Sequence, residues 1–478
     1  MGDSAAVPSV VPSVRPTRVR YGVLAFAATL AMVTYLDRSC FSMAVDEIAA
    51  ALGLSSREDV LRWAAPAFAI AYALFEVPTG WLGDRFGPRH TLLRIVLWWS
   101  LFTGLTAVVG FHVCGVVLGL GFLVTIRFLF GVGEAGAFPN ITRALHNWFP
   151  LTQRGFAQGT VWTAARLAGG LTPLIWWVIV SQAQMPWRDT FCFFAAIGLI
   201  WSVLFWRWFR NRPEEHPGTN EAERALIVEG RNESEQRSTQ GLAIPWKHFL
   251  RNRNVWLLGL MYACQSYGWF FYITYLPTYY KLRFPQSASG WLGALCMGSP
   301  LWVGAIGCFV GGKLTDWYIR RTGDLRNGRR YFGAFGHGAT AICFLLCPMV
   351  SSAAGFFVTI ALAGFFTDLT MGSSWAMCQD VGRRFAAVVA GTMNMIGNVG
   401  SALAGWVTGT VVIRAVTAHA AAQNVAVAQL SDAARAAGEI DGYTTAFGLF
   451  ALACGIGVCC WLLLDARISV DPEAEIHS

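Results

Sequence analysis

The sequence predicts an all-α membrane protein with twelve transmembrane helices, arranged as two pseudo-symmetric bundles of six. The first observation is the composition, in which 55% of the 478 residues are apolar and only 13% are charged, whereas soluble domains carry about a quarter charged residues. The second is a series of about twelve apolar runs, each long enough to cross a hydrocarbon core of roughly 30 Å. The third is a polar segment near the middle of the chain, with a motif that repeats on either side of it.

The first half of the chain supplies six spans. Residues 1–20 are polar and rich in proline and arginine, and we expect them to form a disordered cytoplasmic tail. The first apolar run is too long for a signal peptide and is retained as a span. The N-terminal bundle covers 21–210, with spans predicted at 21–43, 62–83, 92–112, 115–138, 155–182 and 188–209.

The second half repeats this arrangement after a charged segment. Residues 211–254 read as a cytoplasmic linker on the membrane surface, with an amphipathic helix expected at 221–233. The C-terminal bundle covers 255–467, and residues 468–478 form a second cytoplasmic tail. Its spans are predicted at 255–280, 289–318, 330–350, 354–380, 385–414 and 441–465, which leaves a long outer loop at 415–440.

The basic residues indicate the orientation of the spans. About twenty-five lysines and arginines lie in loops on the side of the N terminus, against about seven on the other side, so both termini are predicted to be cytoplasmic. We expect a monomer in the lipid bilayer of the cell membrane, the inner membrane of a bacterium or the plasma membrane. The formal charge of +8 belongs to these loops and therefore does not indicate a nucleic-acid partner.

Neither the cysteines nor the histidines form a pattern that indicates chemistry. The twelve cysteines lie within or beside apolar runs without paired loop spacing, which favours packing thiols over disulfides or metal ligands. The eight histidines are scattered. The sequence therefore predicts no metal site and no cofactor, and it has no nucleophile cluster of the kind that a membrane enzyme would need.

Two charged residues interrupt the fourth apolar run. Arg127 and Glu134 are seven residues apart, which places them on one helix face about two turns, or roughly 10 Å, apart. Ionisable groups in a span are costly unless they face protein or a water-filled path, and the glycines at 131, 133 and 136 let a neighbouring helix approach this face. The alternative is that both charges are neutralised by neighbouring helices and serve packing alone.

The first half contains further ionisable residues in its spans. Three arginines oppose three acids there: Arg38, Arg127 and Arg166 against Asp37, Glu76 and Glu134. An arginine binds a carboxylate through two parallel hydrogen bonds and stays charged, whereas a desolvated carboxyl group can exchange a proton near neutral pH. We therefore expect the arginines to bind an organic anion and the acids to carry protons. Arg166 could instead be the counter-ion of Glu134 or Asp37; if it faces the cavity, two arginines would favour a doubly charged substrate such as an aldarate.

A repeated motif follows the second span of each half. Residues 80–90 read G-W-L-G-D-R-F-G-P-R-H, and residues 311–321 read G-G-K-L-T-D-W-Y-I-R-R. Small residues permit close helix contact, an acid can bind a helix N terminus, and bases can bridge to acidic partners. We interpret the motif as a conformational latch formed by Gly80, Asp84, Arg85, Arg89 and Asp316. Glu76, one turn before Gly80, is read as a latch residue in preference to a proton site.

These motifs resemble the major facilitator superfamily. The stretch G-W-L-G-D-R-F-G-P-R is similar to its loop signature between the second and third helices, and R-F-L-F-G-V-G from Arg127 is similar to its fourth-helix arginine motif. Y-L-D-R-S, G-E-A-G-A-F-P-N followed by N-W-F-P, and W-F-F-Y-I-T-Y-L-P-T-Y resemble the anion:cation symporter family. That family includes permeases for hexuronates, galactonate and glucarate, and the sialin and vesicular glutamate carriers. The resemblance covers roughly residues 20–467.

The resemblance implies roles for individual positions. Asp37 and Glu134 match the proton-coupling carboxylates, Arg38 matches the arginine that contacts the substrate carboxylate, and Arg127 matches the charge partner of the fourth-helix glutamate. The remaining substrate contacts that it implies are Tyr35, Tyr72, Trp375 and Asn394, with Ser373 and Ser374 beside them. From the residues alone, the mid-span amides of Asn394, Asn398 and Gln265 are also suited to a sugar acid. Arg166 departs from the galactonate permeases, which have glutamine there, and Asp368 has no clear match; it fits a polar cavity and helix packing equally well.

These observations predict a transporter that works by alternating access. We expect proton-coupled symport of a small organic anion, a sugar acid such as a hexuronate, an aldonate or an aldarate. Protons are favoured over Na⁺ because carboxylates beside arginines form a poor oxygen cage for a hard cation, although no sequence feature speaks against Na⁺. The alternatives are an uncoupled facilitator or exchanger of organic anions, and a non-transporting nutrient sensor, for which the two predicted tails are short.

Overall fold

The computed structural model describes residues 15–54, 57–113, 116–229, 231, 243–288 and 290–475. Within these residues, nine helical stretches are long and apolar enough to cross a membrane. One of them, Ala353–Ala422, contains two spans, and the helices Pro88–Thr106 and Arg253–Thr274 bring the described spans to twelve. The protein therefore has the predicted fold of twelve membrane-spanning helices.

The first six spans form the N-terminal bundle. They are Val19–Met43 (span 1), Arg57–Phe86 (span 2), Pro88–Thr106 (span 3), Leu120–Glu134 with Ala137–Trp148 (span 4), Arg154–Trp176 (span 5) and Trp187–Trp208 (span 6). Span 4 is broken by Gly136, which has a φ of +83° that side chains other than glycine rarely adopt. A π-helical turn, Trp177–Gln182, continues span 5, and a short helix, Val45–Ala51, follows span 1. The residues before span 4, predicted as helix from 115, instead include a hairpin of His112–Val113 with Val116–Val117.

The other six spans form the C-terminal bundle. They are Arg253–Thr274 with Leu276–Arg283 (span 7), Gly290–Thr322 (span 8), Leu325–Leu346 (span 9), Ala353–Leu369 with Met371–Gly382 (span 10), Ala386–Ala422 (span 11) and Asp432–Leu463 (span 12). Spans 11 and 12 continue well beyond the predicted limits, so the predicted outer loop at 415–440 is mostly helical. The linker contains the helices Glu221–Val228 and Trp246–Arg251, and Pro472–Glu475 is a final short helix.

The described parts of the two tails lie at one end of the bundle, which we call the base; the opposite end is the top. Glu223 of the linker helix accepts hydrogen bonds from Thr17 Oγ1 at 2.5 Å, Val19 N at 3.1 Å and Arg20 Nη1 at 2.9 Å. The predicted disordered tail is therefore ordered at 15–20, because a buried carboxylate binds the free N–H groups of span 1; its residues 1–14 lie outside the described part of the chain.

The C-terminal tail is also held at the base. Both oxygens of Asp471 accept hydrogen bonds from Arg384 at 2.5 Å, and the Ser469 hydroxyl donates to the carbonyl of Val381 at 3.0 Å. Residues 469–471 of the predicted C-terminal tail therefore pack against the turn between spans 10 and 11.

Glycines bring the two bundles into close contact near the base. A Cβ atom on Gly312 of span 8 would lie 2.4 Å from the carbonyl oxygen of Gly155 in span 5, and one on Gly80 of span 2 would lie 2.6 Å from that of Ala387 in span 11. Spans 5 and 8, and spans 2 and 11, thus cross with their backbones in contact, as small residues allow. These two crossings position the charged residues described next.

Candidate functional site

Asp84 joins the N-terminal bundle to the start of span 11. Its two oxygens accept hydrogen bonds from the backbone N–H groups of Ala387 at 3.2 Å and Val388 at 2.9 Å. The carboxylate lies at a helix N terminus, where unpaired N–H groups and the helix dipole favour negative charge. Arg143 of span 4 lies 3.7 Å from Asp84 and donates to the carbonyl of Arg383 at 2.9 Å.

Asp316 makes the equivalent contact from the C-terminal bundle. It accepts hydrogen bonds from the backbone N–H groups of Gly155 at 3.1 Å and Phe156 at 2.6 Å, at the start of span 5. Arg329 of span 9 lies 3.3 Å from Asp316 and 2.9 Å from Asp380, and Arg154 of span 5 donates to Asp380 at 2.8 Å. Two pseudo-symmetric charge networks therefore close the base between the bundles.

The basic residues of the predicted latch lie elsewhere. The guanidinium of Arg85 lies 5.2 Å from the ring centre of Trp81, and that of Arg89 lies 4.1 Å from the ring centre of Trp206 and donates to its carbonyl at 2.5 Å. Within the part of the chain that the structure describes, neither forms the expected bridge to an acid, because both side chains pack on aromatic rings of their own bundle. The bases that take this role come from spans 4, 5 and 9 and were not among the residues expected from the sequence: Arg143, Arg154 and Arg329, with Asp380 as the shared acid. The repeat of the motif in the two halves is the sequence feature from which these residues could be predicted, because equivalent charged partners are expected near each copy.

Arg38 is the ion-pair partner of Glu134. Its Nε donates to Glu134 Oε1 at 2.7 Å, and its guanidinium lies 4.3 Å from the ring centre of Tyr72. Arg127, the expected partner, lies in a box of phenylalanine rings, 4.1 Å from the ring centre of Phe41, while remaining within electrostatic range of Glu134. The two-turn spacing keeps Arg127 from direct contact with Glu134 on the same span, whereas Arg38 approaches from span 1.

Asp37 is a buried carboxyl group beside Arg38 in span 1. It is 3% exposed, and among the described residues neither of its oxygens has a hydrogen-bond partner. The charges of Glu134 and Arg127 act on this carboxyl group. Burial of an ionised carboxylate without hydrogen bonds is costly, so this position is unusual in a structure that satisfies most of its buried acids.

Arg166 and Asp368 form a buried ion pair between the bundles. Arg166 Nε donates to Asp368 Oδ2 at 2.7 Å and Nη2 donates to Oδ1 at 2.9 Å. Nη1 donates to the hydroxyl of Tyr35 at 3.0 Å, and the guanidinium lies 3.6 Å from the ring centre of Trp269. The counter-ion of Arg166 is thus on span 10, and is neither Glu134 nor Asp37, the two acids considered from the sequence.

Glu76 forms a second contact between the two bundles, in addition to the Arg166–Asp368 pair. It is fully buried, and it accepts hydrogen bonds from the amides of Asn394, at short range, and Asn398, at 3.4 Å, both on span 11. The amide of Asn394 also lies 3.5 Å from the hydroxyl of Tyr72. These amides therefore join the two bundles in this conformation, and Asn394 lies beside Tyr72.

Three other predicted contacts are packed inside the protein. The hydroxyl of Ser373 lies 2.8 Å from that of Thr315, the hydroxyl of Ser374 donates to the carbonyl of Thr370 at 2.9 Å, and both residues are fully buried. Trp375 is also buried, 5.1 Å from Trp162 and 6.0 Å from Phe138 between ring centres. Here the serine hydroxyls serve helix packing, while Trp375 belongs to an aromatic wall beside the arginines.

One further amide, Gln265, lies behind this wall. Its Nε2 donates to the carbonyl of Thr367 at 3.2 Å, and it lines a small buried cavity together with His337 and Thr340. These contacts all lie within the C-terminal bundle.

The arrangement as a whole is a charged cluster in the middle of the bundle above a closed base. Arg38 is its most accessible cation, with 26% of its side chain exposed, against 4% for Arg166. A partly exposed guanidinium beside an aromatic ring can bind an organic acid, and the neighbouring carboxyl groups can take up and release protons.

Comparison with known proteins identifies relatives with related arrangements of helices. The model of the Major Facilitator Superfamily matches residues 27–405. A probable sulfoacetate transporter of Cupriavidus necator is 32% identical over 380 residues, which are 79% of this chain and 84% of the relative. The hexuronate transporter of Bacillus subtilis is 30% identical over 403 residues, 81% of this chain and 88% of the relative. The structure of the fucose:proton symporter of E. coli aligns with a TM-score of 0.63 at 12% identity, over 94% of this chain and 100% of that one, and so supports the fold. These matches confirm the resemblance drawn from the motifs.

Proposed function

Because this chain belongs to the Major Facilitator Superfamily and is a multi-pass membrane transporter, not an enzyme, we propose that it carries a small organic acid together with protons. The proposed substrate class is the sugar acids, and the proposed direction is into the cell, with the base facing the cytoplasm. The hexuronate transporter of B. subtilis and the probable galactarate/D-glucarate transporter of E. coli support this class.

The cluster of Asp37, Arg38 and Glu134 is the observation that carries the proposal. Arg38 is partly exposed and keeps a buried Nη2 without a partner among the described residues, so its guanidinium can accept the acid group of a substrate. Such an acid would compete with Glu134 for Arg38. Release of Glu134 into a buried site is costly unless it takes up a proton, which links substrate binding to proton binding.

The charge balance of the cluster supports proton coupling. Three guanidinium groups, of Arg38, Arg127 and Arg166, oppose four carboxyl groups, of Asp37, Glu76, Glu134 and Asp368. With every group ionised the net formal charge is −1, which opposes entry of an anion. Proton uptake removes this excess, and Asp37 is the carboxyl group of the four to which no described residue donates a hydrogen bond that would stabilise its ionised form.

Uptake into proteoliposomes tests this function. A thermal-shift panel of uronates, aldonates and aldarates first identifies an acid that binds. Uptake of that acid is then measured with an imposed pH gradient, with a Na⁺ gradient and with neither. We expect the pH gradient to drive accumulation above equilibrium, and Asp37→Asn and Glu134→Gln to abolish accumulation while retaining exchange across the membrane. Asp189→Asn, at the start of span 6, is the control.

The outcomes separate the alternatives. Equilibration without accumulation under any gradient would identify a facilitator or exchanger. Accumulation driven by Na⁺ alone, or accumulation by Asp37→Asn and Glu134→Gln at the level of the parent protein, would refute proton coupling through these residues.

A further inference from the structure

We infer that Asp368 is an internal counter-anion that occupies Arg166, so that the transporter accepts acids with one acid group in preference to acids with two. This inference rests on the proposed function, in which Arg38 binds the acid group of the substrate. It assigns to Asp368 the selection of substrates by charge, a role for which neither the motifs nor the spacing gave a signal.

The hydrogen-bonding edges of Arg166 are already in use. Nε and Nη2 donate to the two oxygens of Asp368 at 2.7 and 2.9 Å, and Nη1 donates to Tyr35 at 3.0 Å. One face of the guanidinium is covered by Trp269 at 3.6 Å. Two parallel hydrogen bonds are also the way in which an arginine binds the carboxylate of a ligand. Asp368 therefore occupies the place that a second substrate acid would take.

Arg38 differs from Arg166 in its hydrogen bonds and in its exposure. It has one hydrogen bond to an acid, from Nε to Glu134, and its side chain is 26% exposed. The side chains of Arg166 and Asp368 are 4% and 0% exposed. The cluster thus offers one open guanidinium to an anion, although its sequence contains two arginines suited to that role.

A diacid could engage Arg166 only by displacing Asp368. The displaced carboxylate would remain buried among apolar and aromatic groups without its cation, and removal of one partner from a buried pair is strongly unfavourable. A monoacid that binds Arg38 leaves the pair intact. The expectation from sequence, that a second arginine favours a doubly charged substrate, therefore changes once the tertiary partner of that arginine is known.

The alternative is that the Arg166–Asp368 pair serves only to hold spans 5 and 10 together. The structure contains a second ion pair between these spans with which this alternative can be tested. Arg154 of span 5 and Asp380 of span 10 form a second buried pair between the bundles, with an N–O distance of 2.8 Å. Both pairs join the same two spans, but Arg154 and Asp380 lie in the base network. Replacement of Asp380 therefore removes a contact between the same two spans, together with its second pair to Arg329, without releasing Arg166.

The test compares gluconate with glucarate, two open-chain six-carbon acids that differ by one carboxyl group. Dissociation constants are measured by ligand-dependent thermal shift on the purified full-length protein, which requires neither a gradient nor transport. We expect the parent protein to bind gluconate more tightly. Asp368→Asn should change the ratio of the two constants in favour of glucarate by about tenfold or more, the usual effect of one added charge-assisted hydrogen-bonded pair. Asp380→Asn should leave the ratio unchanged.

Arg166→Gln combined with Asp368→Asn removes both charges of the pair and is the variant to use if Asp368→Asn alone does not fold; it should keep the parent preference for gluconate. Equal or tighter binding of glucarate by the parent protein overturns the inference. An equal change in the ratio of the two dissociation constants in Asp368→Asn and Asp380→Asn also overturns it, and so does a gain of glucarate binding in the double variant. If neither acid binds the parent, the sugar-acid class of the proposed function fails together with this inference. If both acids bind and the ratio does not respond to Asp368→Asn, only this inference fails.

Discussion

Replacement of Asp316 by asparagine should open the base of the bundle. Asp316 accepts hydrogen bonds from Gly155 N and Phe156 N at the start of span 5 and lies 3.3 Å from Arg329. Asparagine has nearly the same shape but offers one oxygen and no charge. The attachment of span 8 to the start of span 5 would be weakened in the base-closed conformation, while a base-open conformation is little affected because the two spans are then apart.

The size of the effect follows from the interactions that asparagine cannot make. Hydrogen bonds to a charged group contribute about 1.5–3 kcal/mol each, and removal of one partner of a buried ion pair costs about 3–5 kcal/mol. Asp380 remains 2.9 Å from Arg329 and offsets part of this cost. We therefore expect a shift of about 2–3 kcal/mol toward the base-open conformation, a change of about 30- to 150-fold in the ratio of populations.

Double electron–electron resonance measures this ratio. Spin labels at Arg207 and Tyr331 place one label on each bundle at the base, outside the latch, after the exposed Cys192 and Cys459 are replaced by serine. Asp316→Asn should add a population at longer distance. Arg85→Gln is the control, because Arg85 belongs to the same motif but packs on Trp81 in its own bundle. An unchanged distance distribution in Asp316→Asn, or an equal change in Arg85→Gln, would show that the carboxylate does not hold the base closed.

Three further predictions concern the same end of the molecule. Gly159→Ala should also favour the base-open conformation, because its Cβ would lie 2.4 Å from the carbonyl oxygen of Cys308; the distance measurement above would contradict this if the closed population persisted. Glu223→Gln should lower the thermal midpoint, because it weakens charged hydrogen bonds to span 1 that stabilise the fold by about 2 kcal/mol in total. Glu221→Gln, at an exposed position, should not lower it, and equal midpoints of the two variants would argue against the role of Glu223. Asp471→Asn should lower the midpoint because it weakens two 2.5 Å hydrogen bonds from Arg384, and a larger decrease in Glu473→Gln would place the stabilising interaction elsewhere.

Much of the fold is readable from the sequence because the bilayer imposes a simple rule. An apolar run of sufficient length must be a helix that satisfies its own backbone hydrogen bonds, and the repeat around Asp84 and Asp316 indicates two related halves. The ends of the individual helices are harder to predict from the sequence. Span 11 extends past the predicted 414 and span 12 begins before the predicted 441, since their outer turns are alanine-rich, are less apolar than the membrane-spanning runs and still form helix.

The ion pairs show the limit of reasoning along one chain. The spacing of Arg127 and Glu134 predicts one shared helix face, and both residues are buried. A separation of two turns on one helix leaves the direct partner of Glu134 to another span, and that partner is Arg38. In the same way, Arg166 was assigned to a substrate or to an acid of its own bundle, and its partner Asp368 lies on span 10.

The order of residues alone determines that the chain crosses the membrane in two six-helix halves. It also determines that arginines and acids are buried together in the first half. Hydrophobic length and the cost of intramembrane charge are properties of local sequence. The packing of the spans settles which charges neutralise one another, which hydroxyls are used between helices, and that Arg38 is the guanidinium left partly open. Those outcomes depend on distances between spans about a hundred or more residues apart in the chain, and the pairing energy of a buried charge depends on such distances far more than on the identity of its neighbours along the chain.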